Sequence, residues 1–129
     1  YGDHRDLHSF PTRRSSDLDG PIEINGEQSL SFGLPGRVEF NDGIERPIIG
    51  FKYNPSSNAN NLRLEVSIRG QNIVTISNID SGTPLVYWEI FNGSLLNEVD
   101  DNIVTFRVEG ESGNIAISDV FVFFQRSGF

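Results

Sequence analysis

Residues 62–68 read LRLEVSI and residues 104–109 read VTFRVE, and these two stretches decide the fold. In both, every second residue is apolar and the residues between are polar or charged. Successive side chains of a β-strand point to opposite faces of a sheet. Each stretch therefore predicts a strand with one buried face and one solvated face.

Shorter apolar runs elsewhere predict further strands, at residues 29–34, 37–40, 47–53, 73–77, 86–91, 115–118 and 120–125. Glycine, asparagine, aspartate and proline form turns between them. Apolar residues nowhere recur at helical spacing over three turns, although residues 95–99 predict a single helical turn. This pattern predicts an all-β fold, a two-sheet antiparallel β-sandwich of the jelly-roll type, with an immunoglobulin-like sandwich as the alternative.

The N-terminal segment, residues 1–18, reads YGDHRDLHSFPTRRSSDL and resembles the translation of an adapter used in short-read DNA sequencing. Segments of this kind are excluded from fold reasoning. We therefore expect residues 1–18 to be a non-native, disordered segment and residues 19–129 to form one β-sandwich domain. The chain is then expected to be a metagenomic fragment whose natural sequence continues upstream of Asp19.

Composition excludes several classes of function. The chain carries 18 Asp and Glu against 10 Lys and Arg, a net charge of −8, which argues against binding nucleic acid. It has no cysteine, and its two histidines, His4 and His8, lie in the adapter-like segment. Residues 19–129 thus lack the groups for a Ser-His-Asp triad or a zinc site, and no apolar run is long enough to cross a membrane. We expect no enzyme activity.

The stretch from Leu62 to Gln125 resembles the second half of galactose-binding-like and carbohydrate-binding jelly-roll modules. The resemblance lies in the order of LRLEVSIRGQN, LVYWEI, NEVDDNIVTFRVEG and NIAISDVFVFFQ. It implies a module that binds sugars or serves as a structural domain beside an enzyme. It also implies a structural calcium, held by an acidic residue near the start and an aspartate in the last strand, here Glu23 and Asp119. Asp119 interrupts an apolar strand, so a β-bulge is an equal explanation for it.

Three aromatic residues are candidate sugar-binding groups. Trp88 lies in register with Val86 and Ile90, which predicts that it packs in the core. Tyr87 points to the other side of that strand and Tyr53 ends a strand beside a polar loop, so these two are the better candidates for an exposed contact. Ordinary surface or half-buried packing is the alternative for each.

We therefore expect a non-catalytic module, extracellular or in the cell envelope, that binds carbohydrate or another protein. A structural or assembly domain of the capsid, adhesin or surface-layer type is the alternative. A glycosidase-like domain that uses only carboxylates is the third hypothesis, with candidates Glu65, Glu89, Glu109 and Asp119. Those carboxylates equally suit the solvated face of half-exposed strands.

Overall fold

A computed structural model describes residues 6–11, 21–32, 43–96 and 101–127 of the chain. These residues form β-strands and one short 3-10 turn, Gly93–Leu95. The strands are β1 (Asp6–Pro11), β2 (Ile22–Ile24), β3 (Gly26–Phe32), β4 (Gly43–Pro55), β5 (Leu62–Ile68), β6 (Gln71–Ile79), β7 (Leu85–Ile90), β8 (Asn102–Glu109) and β9 (Ile115–Ser127). No helix in this part of the chain is long and apolar enough to cross a membrane.

The strands form two antiparallel sheets. Sheet A has the order β1-β9-β4-β7, with β2 also paired to β9, and sheet B has the order β3-β8-β5-β6. The antiparallel pairs are nested: β5 with β6, β4 with β7, β3 with β8, and β2 with β9. A chain that folds as one long hairpin and then rolls up gives this order. The fold is therefore the predicted jelly-roll sandwich and not the immunoglobulin-like alternative.

The core lies between the sheets, as the alternation predicts. On β5 all four apolar residues are buried, and on β8 Val104, Phe106 and Val108 are buried. Sheet A contributes the inward residues of β4 and β9. Phe51 of β4 meets Phe106 of β8 edge to face across the interior, with ring centroids 5.4 Å apart. This contact joins the two sheets near the centre of the core.

The hairpin between β5 and β6 has a two-residue turn, Arg69-Gly70, closed by the pair Ile68 and Gln71. Both turn residues have positive φ, 52° and 81°. Positive φ at both positions defines the type I′ turn, whose twist matches that of the flanking strands. Glycine at the second position lowers the cost of this conformation.

Several strand predictions differ from the structure in detail. The runs 115–118 and 120–125, predicted as separate strands, form the single strand β9, and the short strand β2 was not predicted. The predicted strand at 37–40 lies outside the described residues, as do residues 97–99 of the predicted helical turn. Within the segment 1–18, expected to be non-native and disordered, Asp6–Pro11 forms β1 against β9. The origin of the segment stays a prediction.

Candidate functional site: the apolar outer face of sheet A

Trp88 lies on the outside of the sandwich, so the prediction that it packs in the core is wrong. It is 60% exposed, and Val86 and Ile90 are 62% and 54% exposed. The register explains why, because Tyr87 pairs with Phe51 and Trp88 pairs with Gly50. Directly paired residues share a face. Phe51 is fully buried, so the side chain of Tyr87 faces the core and that of Trp88 faces outward.

Strand β9 adds two phenylalanines to the same face because of a bulge at Asp119. Gly50 pairs with Phe121 and Lys52 pairs with Ser118, so two residues of β9 lie opposite one residue of β4. Asp119 has a φ of 51°, in the left-handed region. One extra residue shifts the alternation by one position. Val120 and Val122 are therefore buried, whereas Phe121 and Phe123 face outward.

Gly50 allows Phe121 to lie directly on the sheet. A Cβ atom built on Gly50 would lie 2.1 Å from Phe121 Cζ, so the ring occupies the space of a side chain at this position. The Phe121 and Phe123 rings are in contact, with centroids 4.7 Å apart. Since Gly50 is also the register partner of Trp88, Trp88 and Phe121 border the same small residue.

We call this surface the apolar face. It is formed by outward-facing residues of three adjacent strands: Ile48, Gly50, Val86, Trp88, Ile90, Phe121 and Phe123. Sheet B carries a different outer surface, where Arg63 and Arg107 form ion pairs with Glu109 and Ser29 bonds to Thr105. The two outer surfaces thus differ in chemistry, and an apolar surface open to water indicates a contact site.

Polar groups border the apolar face at one end. Lys52 Nζ lies 3.2 Å from Asp119 Oδ2, and both side chains are more than half exposed. They line a cleft of about 270 Å³ together with Asn54 and Ser118. Lys52 is the register partner of Val86, so ammonium, carboxylate and amide groups lie beside the apolar residues. This border offers both hydrogen-bond donors and acceptors.

Tyr53 and Tyr87 lie on the inner side of sheet A, away from Trp88. Tyr53 is buried, so it is not the exposed contact for which it was a candidate, and Tyr87 is half-buried, as the alternative expected. Both rings neighbour Phe51, at centroid distances of 6.3 and 5.9 Å. The structure therefore brings the two tyrosines together and separates them from the third candidate.

Tyr87 and Glu89 form a hydrogen-bonded pair at the rim of the core. The Tyr87 hydroxyl donates to Glu89 Oε1 at 2.8 Å. This bond raises the pKa of Tyr87, and partial burial, the Glu89 charge and the neighbouring Tyr53 raise it further. A raised pKa keeps the hydroxyl protonated, so the bond persists throughout the neutral range.

Glu23 and Asp119, the predicted calcium ligands, do not face one another. Glu23 pairs with Ala116, three residues before Asp119 on β9, and Asp119 already forms the ion pair with Lys52. In the described part of the chain, no three His, Cys, Asp or Glu residues are grouped so that they could hold a metal ion. Calcium takes six to eight oxygen ligands, and these two carboxylates do not supply such a set. The calcium site stays a prediction that this geometry does not favour.

The four carboxylates of the glycosidase hypothesis lie in three places, because Glu65 and Glu109 share Arg63 as an ion-pair partner. Glu65 and Glu109 pair with arginines on sheet B. Glu89 accepts the Tyr87 hydroxyl, and Asp119 pairs with Lys52 on the outside of sheet A. A cleft of about 360 Å³ at the end of sheet B contains one carboxylate, Glu109. Two carboxylates across one cleft are required for glycoside hydrolysis, and these four do not form that arrangement.

Sequence reasoning did not identify Gly50 and Lys52 as parts of the site; for Phe121, both sides of the run 120–125 are apolar, which indicates a central strand or a side that meets a partner. A further signal was Asp119, a charged residue inside an apolar strand, for which a bulge was one explanation. The positive φ and the register shift confirm that alternative.

Comparison with known proteins shows the fold. No protein-family model matches the chain, and no curated protein matches it in sequence. A part of dimeric latent PorU from Porphyromonas gingivalis is similar in structure, with a TM-score of 0.57 at 11% identity; the match covers 95% of this chain and 12% of that one. A family 35 carbohydrate-binding module from Clostridium thermocellum is similar with a TM-score of 0.53 at 12% identity, over 92% of this chain and 90% of the module. The chain thus shares its β-sandwich fold with these structures.

Proposed function

We propose that this domain is a non-catalytic module that binds carbohydrate on the apolar face. The observation that carries the proposal is the exposure of Trp88, 60%, in one row with Gly50 and Phe121. A large aromatic ring that is left in water beside other apolar groups has an unfavourable hydration free energy, which a ligand that covers it relieves.

Sugar rings suit this surface because they have both apolar and polar parts. The C–H groups on one side of a pyranose pack against an aromatic ring, and the hydroxyl groups around its rim need hydrogen-bond partners. Trp88 and Phe121 supply the aromatic surface. Lys52 and Asp119 supply a donor and an acceptor at its border. The site is a face and not a deep pocket, which suits a polysaccharide chain better than a free monosaccharide.

The comparisons support the proposal only through the fold, because one structural neighbour is named as a carbohydrate-binding module. Jelly-roll domains have many functions, so the proposal rests on the apolar face itself. We place the module outside the cell or in the cell envelope, attached to a larger protein. Its net charge of −8 does not suit nucleic acid as a partner.

The experiment compares Trp88→Ala with Ile103→Ala in binding to a panel of soluble and insoluble polysaccharides. Ile103 is the matched control, because it is an apolar residue of similar exposure, 50%, on sheet B. Truncation of a central aromatic contact costs about 2 kcal/mol or more, so Trp88→Ala should weaken binding about thirtyfold or more. Ile103→Ala should bind as the unchanged chain does.

Two outcomes would overturn the proposal. One is the failure of the unchanged chain to bind any polysaccharide of the panel. The other is an equal loss of binding in both variants, which would place the sugar elsewhere. Because Trp88 is the single tryptophan of the chain, a change in its fluorescence on binding gives a second, direct readout of the same face.

A further inference from the structure

Strand β7 has one edge without a partner among the described strands. It is the last strand of sheet A and pairs only with β4. The pairing continues without a register shift from Leu85 to Ile90. Just beyond the strand, Phe91 N–H donates to Pro47 O at 2.9 Å. This bond tells which residues of β7 direct their backbone groups toward β4.

In an antiparallel strand, the backbone groups of successive residues point alternately to one neighbour and to the other. Since those of Phe91 point to β4, those of Leu85, Tyr87 and Glu89 do so too. The N–H and C=O groups of Val86, Trp88 and Ile90 therefore point to the free edge. The same three residues present their side chains on the apolar face.

The free edge of β7 lacks three of the features that prevent pairing with another chain, although it carries one charged residue, Glu89. Edge strands are commonly protected by proline, by lysine or by bulges. The β7 sequence LVYWEI contains no proline and no lysine, and its register with β4 is regular. Strand β6, at the edge of sheet B, has two register shifts against β5. Of these two edges, β7 is therefore the better template for a further strand.

We infer that the partner is a second copy of this chain, paired antiparallel through β7 with Trp88 on the two-fold axis. In this register Trp88 lies opposite Trp88, and Val86 lies opposite Ile90. Val86, Trp88 and Ile90 then each donate one backbone hydrogen bond to the residue opposite in the second copy and accept one from it. On the inner side, Tyr87 lies opposite Glu89 of the second copy, so that the two Glu89 carboxylates do not face each other.

Neighbouring registers are less favourable. Centring the pair on Glu89 places two carboxylates directly opposite, which is repulsive. Centring it on Tyr87 places Glu89 opposite Leu85, and Ile90 opposite Pro84, which has no N–H to donate. The sequence of β7 is thus self-complementary in the register centred on Trp88, and this chemistry argues for a second copy as the occupant.

Pairing in this way leaves the apolar face open and joins two such faces into one continuous surface across the axis. A single pair of strands buries less area than the roughly 1,200 Å² of a stable interface, so the dimer is reversible. The net charge of −8 on each chain opposes association. Added salt should therefore strengthen the dimer by screening this repulsion.

The first test is sedimentation velocity over a concentration series, in moderate salt and without any sugar. The unchanged chain should pass from monomer to dimer as concentration rises. Val86→Lys should shift this transition to at least tenfold higher concentration. Ile103→Lys, the same change at an exposed apolar residue of the central strand β8, should not. A chain that stays monomeric at the highest concentration overturns the inference.

The second test determines the register by disulfide cross-linking of single introduced cysteines. The chain has no cysteine of its own, so any disulfide must come from the introduced residues. Hydrogen-bonded antiparallel partners have Cα atoms about 5.5 Å apart, within disulfide range. Trp88→Cys should therefore form a disulfide-linked dimer on oxidation. Val86→Cys alone should not, because its copies lie about 13 Å apart along the strands, but mixed with Ile90→Cys it should. Equal cross-linking of all three single variants would refute the register.

Neither test involves sugar, so their outcome is independent of the proposed function. If the unchanged chain forms the dimer but binds no polysaccharide, the proposed carbohydrate-binding function is wrong and the inferred dimer stands.

Discussion

Replacing Gly50 with alanine tests whether Phe121 belongs to the binding surface. The new Cβ would lie 2.1 Å from Phe121 Cζ, whereas carbon atoms in contact lie about 3.5–4.0 Å apart. The backbone on both sides of Gly50 is held in the β4 pairings. The ring must therefore move away from the sheet by about 1.5 Å or more.

The effect on stability should be small, because two contributions oppose each other. Displacing the ring loses the contact between Phe121 and Phe123, and such aromatic pairs contribute about 0.5–1.5 kcal/mol. Alanine in a strand is favoured over glycine by roughly 0.5–1 kcal/mol. We therefore expect the free energy of unfolding to change by less than about 1 kcal/mol, which corresponds to a shift in Tm of a few degrees.

The effect on binding should be larger, because the ring no longer lies beside Trp88. Loss of one aromatic contact of about 1 kcal/mol weakens sugar binding roughly fivefold. Urea unfolding followed by circular dichroism measures the free energy of unfolding, and titration followed by Trp88 fluorescence measures the affinity for sugar. Phe121→Ala is the matched variant and should weaken binding to a similar extent. Unchanged affinity in both variants would refute a role for Phe121. A loss of more than about 3 kcal/mol in stability would show that the ring cannot move as we argue.

Two further predictions concern titration and metal binding. Because the pKa of Tyr87 is raised in the folded state, the unfolded chain releases this proton first as pH rises. The free energy of unfolding should then fall above the ordinary tyrosine pKa of about 10. Urea unfolding measured at pH 8 and above pH 10 should show a smaller fall for Tyr87→Phe than for the unchanged chain. An identical fall in both proteins contradicts the argument. Millimolar calcium should leave the unfolding midpoint unchanged, because Lys52 already neutralises Asp119. A rise in the midpoint that Glu23→Gln and Asp119→Asn both abolish would instead establish the calcium site.

The fold was predictable because most of its strands have one polar and one apolar side. On β5 and β8, charged residues such as Arg63 and Arg107 mark the outer side without ambiguity. The hydrophobic pattern therefore determines which residues are buried. The class of fold was predictable, but the pairing of individual strands was not, because paired strands are distant in the sequence.

The candidate site was less predictable because β7 reverses the usual pattern. Its outward residues, Val86, Trp88 and Ile90, are more apolar than its inward residues, which include Glu89. Alternation shows which residues share a side, but not which side faces the core. That choice depends on the register with β4, where Phe51 pairs with Tyr87, and no local feature of the sequence encodes it.

The bulge at Asp119 makes the composition of the outer surface depend on how one extra residue is accommodated and not only on residue type. Loss of that single codon would make the pairing regular and leave Phe121 and Phe123 outward, because Val120 would follow Ser118 directly. Regular pairing that kept Asp119 would instead carry Val120 and Val122 outward and the two phenylalanines into the interior. Related domains can therefore lose this codon and keep the aromatic surface, whereas a codon inserted without a bulge would exchange the two sides of the strand.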